Sequence, residues 1–181
     1  MSAKALVILA HPHLNRSISN KAIFKELSKS DKIEIRNLYD LYPNYFIDAA
    51  AEQESLLKHE IIVLQHPFFW YNMPSLLKLW FDEVFAEGFA FGKSGIKMAD
   101  KKLLLSITTG GGEQAYSAEG INRVPIETYL ESYVQTANLC KMKWEKPNIL
   151  FAGRKKSADE IQKYAEDLRS RIENLVKDVR I

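Results

Sequence analysis

Apolar residues in this chain fall into short solid runs, separated by stretches where they recur at helical spacing. Residues 5–10 (Ala-Leu-Val-Ile-Leu-Ala) hold no polar position that would mark a wet face, and read as a strand buried on both sides. Residues 17–28 follow as a helix, with Ile18, Ala22, Phe24 and Leu27 largely on one side. Residues 32–38 alternate as an edge strand, 39–47 form an aromatic-rich loop, and Asp48 caps a helix over 49–58. A third strand covers 61–65. The helix expected over 75–87, opened by Pro74 and closed near Gly88, carries Leu77, Trp80, Phe81, Val84 and Phe85 as one apolar stripe. After an irregular connection rich in glycine come a fourth strand over 103–107, a helix over 125–139 and a fifth strand over 148–152. Ser157-Ala158-Asp159-Glu160 is a capping box, and Ile161, Tyr164, Leu168, Ile172, Leu175 and Val179 carry a last helix to the C-terminus.

Five strands alternating with helices predict an α/β fold with a parallel sheet covered on both faces. Right-handed crossovers then favour a doubly wound sheet of order 2-1-3-4-5. The 181 residues are read as one domain spanning 1–181. Composition adds exclusions. A net charge of +2 gives no reason to expect nucleic acid as a partner, and Arg154-Lys155-Lys156 reads as a solvated loop rather than a phosphate patch. Cys140 is the sole cysteine, which excludes an intrachain disulfide and leaves it as a small core residue. The first apolar run is too short for a signal-peptide core or a membrane span, so the expected address is cytoplasmic.

In the 2-1-3-4-5 order, strands 1, 3 and 4 are neighbours, so the loops at their carboxyl ends converge. The first loop opens a helix with Ser17-Ile18-Ser19-Asn20, where unpaired N–H groups and two serine hydroxyls suit a phosphate; plain serine capping is the alternative. The second loop holds four aromatics in a row, Phe68, Phe69, Trp70 and Tyr71, suited to the face of a flat ring, or else to a subunit interface or core plug. The third brings Thr109 with Gly110, Gly111 and Gly112, whose freedom to take positive φ allows backbone N–H groups close to a ligand, or serves only a tight turn. Phosphate donors, ring wall and glycine edge match the parts of flavin mononucleotide or another flat phosphorylated cofactor. His11 and His13 alone make a poor metal site, so no metal is expected, and neither a Walker loop nor a G-x-S-x-G hydrolase motif occurs.

Ala10-His11-Pro12, Gln65-His66-Pro67 with Trp70-Tyr71, Pro74-x-x-Leu77-Lys78-x-Trp80 and Ser106-Ile107-Thr108-Thr109-Gly110-Gly111 together resemble the flavodoxin-like NAD(P)H:quinone oxidoreductases. The order and length are similar to the bacterial branch, especially the ancillary oxidoreductases of glutathione-regulated potassium-efflux antiporters. Tyr39-x-x-Tyr42-Pro43, Ile47-Asp48 and Glu52-Gln53-Glu54 add to that likeness. The resemblance implies flavin contacts at His11, Ser17, Ile18, Ser19, Asn20, Phe68, Phe69, Trp70, Tyr71, Thr109, Gly110, Gly111 and Gly112. It also implies FMN (with FAD as the alternative), NADH or NADPH as hydride donor, hydride transfer to flavin N5, two-electron reduction of a quinone, and a homodimer with the site between subunits. Tyr116 matches a tyrosine that manages charge on the flavin ring in the animal enzymes, whereas Asn122 stands where those enzymes carry a histidine. The rival reading is a regulatory subunit of a potassium-efflux antiporter, peripheral at the inner face of the cell membrane, with redox activity secondary or absent. A flavodoxin-like electron carrier fits less well, since such carriers are strongly acidic.

Overall fold

In the computed structural model, which describes residues 4–179, the apolar runs become strands β1 (Ala5–Leu9), β2 (Ile33–Asn37), β3 (Ile61–Pro67), β4 (Lys102–Thr108) and β5 (Lys143–Leu150). They pair in parallel throughout, in the order β2-β1-β3-β4-β5. The chain is therefore an α/β flavodoxin-like sheet in the expected order. Every position of β1 and β3 is buried, as a run without polar alternation requires.

Successive side chains of these strands feed two cores. Ala5, Val7, Ile61 and Val63 face α1 (Ile18–Leu27) and, after four further helices, the last one over Ala158–Lys177. Leu6, Ile8, Ile62 and Leu64 face the opposite layer, made chiefly of α3 (Ala49–Leu57), α4 (Ser75–Val84) and α5 (Ile126–Leu139). The short α2 (Leu38–Leu41) sits at the end of β2 and the last helix is α6. The α4 stripe is buried as its spacing predicts: Leu77, Trp80, Phe81, Val84 and Phe85 all lie in one core. Burying a side chain of this kind contributes roughly 1.5–3 kcal/mol. Among the described residues, no helix is long and apolar enough to cross a membrane.

Glu52, on α3, is a charged group inside this layer. Its carboxylate accepts from Trp80 Nε1 at 2.9 Å, from Tyr42 Oη at 2.6 Å and from the Arg36 guanidinium through both Nε (2.8 Å) and a terminal nitrogen. One buried carboxylate with four donors is satisfied rather than orphaned, and it ties β2, α3 and α4 together. Burial, and then Glu52 itself, push the Tyr42 phenol up to about 12.

Several boundaries differ from those expected. Strand β3 runs on through His66 and Pro67, so His66 is a buried strand residue: its Nδ1 faces the Pro67 carbonyl at 2.9 Å and its ring stacks on Tyr133. Strand β5 starts five residues before the expected Asn148, because an edge strand tolerates exposed polar positions. Its Pro147 falls where the β4–β5 register shifts between Leu104 and Ser106, a bulge that spares the missing N–H. Helix α4 ends at Val84, short of the expected 87. On α1 the buried positions are Ser19, Asn20, Ile23, Glu26 and Leu27, while Ile18 is exposed and Ala22 and Phe24 half-buried. The helix turns a polar first turn inward, which an apolar-face reading misplaces. The Asp48 cap and the Ser157–Glu160 capping box both form. The ends, 1–3 and 180–181, including the last residues of the expected C-terminal helix, lie outside the described residues.

Candidate active site

At the carboxyl ends of β1, β3, β4 and β5 lies a cleft of about 920 Å³. That is the size range of sites for cofactors and other small molecules. Its lining contains Ser17, Ile18, Ser19 and Asn20 from the start of α1, Phe68, Phe69 and Trp70 from the turn after β3, Thr109 and Gly110 after β4, and His11 after β1. The three loops thus meet as their order in the sheet requires. Tyr71, Gly111, Gly112 and Tyr116 stand beside this lining rather than in it.

The α1 end supplies donors. Ser17 caps the helix, its Oγ accepting from the Asn20 N–H at 3.2 Å, and the N–H groups of Ile18 and Ser19 precede the first intrahelical bond. The loop after β5 closes the same end: Ser19 Oγ donates to the Gly153 carbonyl at 2.8 Å, and Gly153 and Arg154 join the lining. A Cβ at Gly153 would meet Ser19 Oγ at 3.0 Å, so glycine permits the approach. Arg16, Arg154 and His13 surround this end, and no carboxylate lines the cleft among the described residues. Helix N-terminus and cations together favour an anion. Arg154, read from the sequence as part of a solvated run, is therefore at the site. An expectation confined to the loops after strands 1, 3 and 4 leaves out the loop after strand 5, where Arg154 stands.

His11 is largely buried, with its ring edge-on to Phe69 at a centroid distance of 6.0 Å. Its Nδ1 accepts from the His13 N–H at 3.0 Å, which leaves the proton of the neutral ring on Nε2. Burial, and then the neighbouring His13, hold its pKa below the ordinary histidine value. Among the described residues no group of three potential ligands gathers for a metal.

The aromatic wall is built on an uncommon turn. Asn72 N–H donates to the Phe69 carbonyl at 2.9 Å, and the two central residues, Trp70 and Tyr71, have φ of 48° and 63°. Positive φ at both centres defines a type I′ turn, normally made by Asn or Gly. Here it thrusts Trp70 outward, 93% exposed at the cleft mouth. Tyr71 turns away and stacks on Tyr129 at 5.0 Å. The glycines, by contrast, take no positive φ, so the expected conformational reason for Gly110 to Gly112 does not hold. A Cβ at Gly110 or Gly112 would meet open space, and one at Gly111 would make only ordinary contact with Ala115 at 3.4 Å and the Tyr116 ring at 3.5 Å. The loop is pinned instead by Ala152 N–H to the Gly111 carbonyl at 2.9 Å and Gly153 N–H to the Thr109 carbonyl at 2.9 Å. Tyr116, half-buried against Phe68, Tyr129 and Phe151, has its phenol pushed up by burial.

A family described as having a flavodoxin-like fold matches residues 3–172. The chain belongs to this family. Among curated relatives, the glutathione-regulated potassium-efflux system ancillary protein KefG of Escherichia coli is 39% identical over 163 residues, 90% of this chain and 89% of KefG. Among solved structures, general stress protein 14 of Treponema denticola, in complex with FMN, superimposes with a TM-score of 0.91 at 31% identity, covering 95% of this chain and 99% of that one. An NADPH-quinone reductase from P. pentosaceus gives a TM-score of 0.85 at 24% identity over 93% and 97% of the two chains, a likeness of fold. Members of the family place their ligand-binding loops at the carboxyl end of the sheet, where this cleft lies.

Proposed function

We propose that the protein is an FMN-dependent NAD(P)H:quinone oxidoreductase. The observation that carries this reading is the cleft itself. It joins a cationic helix N-terminus, lined by no carboxylate among the described residues, to a wall of aromatic rings, the two halves that a phosphorylated flat-ring cofactor requires. The FMN complex of the Treponema relative supports the choice of cofactor. When bound, FMN supplies a two-electron carrier that accepts hydride and passes the electron pair on. The chain's own residues bind and orient: Ser17, Ile18 and Ser19 face the phosphate with Asn20 fixing Ser17 from behind, Phe68, Phe69 and Trp70 flank the ring and shed water from it, and Thr109 to Gly112 present backbone groups to its polar edge. His11 presents Nε2–H, and Tyr116 keeps its proton on Oη as a donor behind the glycine loop. NADH or NADPH is the proposed donor and a quinone the proposed acceptor. The purified protein should bind one FMN per chain and oxidise NAD(P)H in the presence of a quinone with ping-pong kinetics. A folded preparation without flavin affinity at micromolar concentration contradicts the reading.

The exposed Trp70 suits a homodimer that covers it. Light scattering should give twice the chain mass of 20.8 kDa. A second reading rests on the 39% identity to KefG, whose name assigns it to a potassium-efflux system: the protein also serves as an ancillary subunit of a membrane antiporter. Co-purification with a potassium–proton antiporter expressed from the same genome tests it, and its failure leaves the enzyme reading standing.

A further inference from the structure

Ser17 and Ser19 both line the α1 end of the cleft, yet their hydroxyls are committed in opposite senses. Ser19 Oγ gives its proton to the Gly153 carbonyl at 2.8 Å, so towards a ligand it can only accept. Ser17 Oγ accepts twice, from the Asn20 N–H at 3.2 Å and from Asn20 Nδ2 at 3.2 Å. A hydroxyl has two lone pairs and one proton. With both pairs engaged, the Ser17 proton is left to point at a ligand.

That polarity depends on which way the Asn20 side-chain amide faces. Asn20 is 2% exposed, and its Nδ2 also donates to Thr108 Oγ1 at 2.9 Å, at the end of β4. Its Oδ1 accepts from Gln65 Nε2 at 2.8 Å, on β3. Gln65 is 0% exposed, and its own Oε1 is buried without a partner. Reversing the Gln65 amide would draw Asn20 Nδ2 away from Ser17 and bury an idle N–H in place of an idle carbonyl, the rarer of the two orphans. Gln65 does not touch the cleft, but the orientation of its amide passes through Asn20 to the hydroxyl that does.

We propose that Gln65 and Asn20 are positioning residues: they make the Ser17 hydroxyl an obligate donor, and so select a ligand ending in a phosphate dianion over its uncharged counterpart. This deepens the flavin reading and rests on it. A hydrogen bond from a neutral hydroxyl to an anion is worth about tenfold or more in affinity, whereas riboflavin offers that end of the cleft no charge.

The test is titration of FMN and riboflavin, each followed by flavin fluorescence, onto flavin-free protein. Native protein should hold FMN at least roughly tenfold more tightly than riboflavin. Gln65→Met, of similar length and without the amide, should weaken FMN about five- to tenfold while riboflavin stays within about twofold. Ser17→Ala should reproduce that pattern and Ser17→Thr should restore FMN binding, which keeps the question decidable if Gln65→Met fails to fold. Equal losses for both flavins, or unchanged FMN affinity in Gln65→Met and Ser17→Ala, would overturn the relay. Native protein that binds both flavins equally overturns the relay alone; native protein that binds neither overturns the flavin reading with it.

Discussion

The Tyr71 hydroxyl donates to Asn122 Oδ1 at 3.1 Å, tying the aromatic turn after β3 to the loop that follows the glycines. Tyr129 joins the same knot, stacked on Tyr71 and donating from its hydroxyl to the Asn122 carbonyl at 3.3 Å. Asn122 stands where the resemblance puts a histidine, and here it works as a latch. An amide holds such a bond without titrating, so the link is independent of pH across the physiological range.

Tyr71→Phe and Asn122→Ala should each cost up to about 1 kcal/mol of stability, the usual net worth of one exposed or half-exposed hydrogen bond. Because they cut the same bond, the double variant should lose less than the sum, with a coupling of about 0.5 kcal/mol. Urea unfolding of the four proteins measures it. Strict additivity would show that the bond contributes nothing in solution.

The type I′ turn makes a second expectation. Two aromatic residues at left-handed φ carry strain, of order 1–2 kcal/mol each. Trp70→Asn should therefore stabilise the flavin-free protein by up to about 1 kcal/mol while weakening flavin binding, since the ring at the cleft mouth is lost. Thermal unfolding and a flavin titration on the same preparation read both signs. A loss of stability would show that the turn is unstrained.

Much of this fold is legible in the chain. The α4 stripe, the Asp48 cap and the Ser157–Glu160 box are local signals, complete within a turn or two of helix, and each forms as written. The convergence of three loops follows from strand order alone. What escapes a linear reading is pairing at long range. Gln65 and Asn20 meet across 45 positions and Asn20 and Thr108 across 88, so nothing near Asn20 marks it as buried. Edge strand β5 escapes for another reason: Lys143, Glu145, Lys146 and Pro147 contradict every strand propensity except tolerance of an edge. The loop after β5 reaches the cleft through the β4–β5 pairing, so Gly153 and Arg154 lie outside an expectation built on the loops after strands 1, 3 and 4.

His66 gives a pH dependence with a definite sign. Burial lowers its pKa to about 4, from an ordinary value of 6.5. The unfolded chain therefore binds a proton before the folded one does, and the stability contributed by the neutral ring is full above about pH 6.5 and lost as pH falls towards 4. The drop is about 3 kcal/mol from this group. His66→Gln, which keeps a donor and an acceptor beside Pro67 and Tyr133, should flatten unfolding free energy over that window. An unchanged slope would place the acid sensitivity elsewhere.

Glu52→Leu should be among the most damaging single changes outside the site. It leaves the Arg36 guanidinium, the Tyr42 hydroxyl and Trp80 Nε1 without their shared acceptor, at a cost of about 3–5 kcal/mol. Glu52→Gln retains one acceptor oxygen and should cost less. Unfolding midpoints of the two variants rank them, and equal losses would mean that the charge, not the acceptor, is what matters.

Tyr116→Phe should slow NAD(P)H oxidation by the flavin-loaded protein roughly tenfold, the low end for loss of a donor near developing charge, because the residue lies beside the cleft lining. Stopped-flow measurement with saturating FMN checks it. An unchanged rate would leave Tyr116 as packing behind Gly111.

That no carboxylate lines the cleft among the described residues bears on the speed of capture as well as on its strength. With a net charge of only +2, the molecule as a whole exerts little pull on an approaching anion. The local field at Arg16, Arg154 and the α1 terminus is short in range, and added salt screens it within a Debye length of about 10 Å at 0.1 M. Encounter rates for FMN should consequently fall as ionic strength rises while those for riboflavin stay level, so at physiological salt diffusion would load this protein and leave guidance to the last few ångströms.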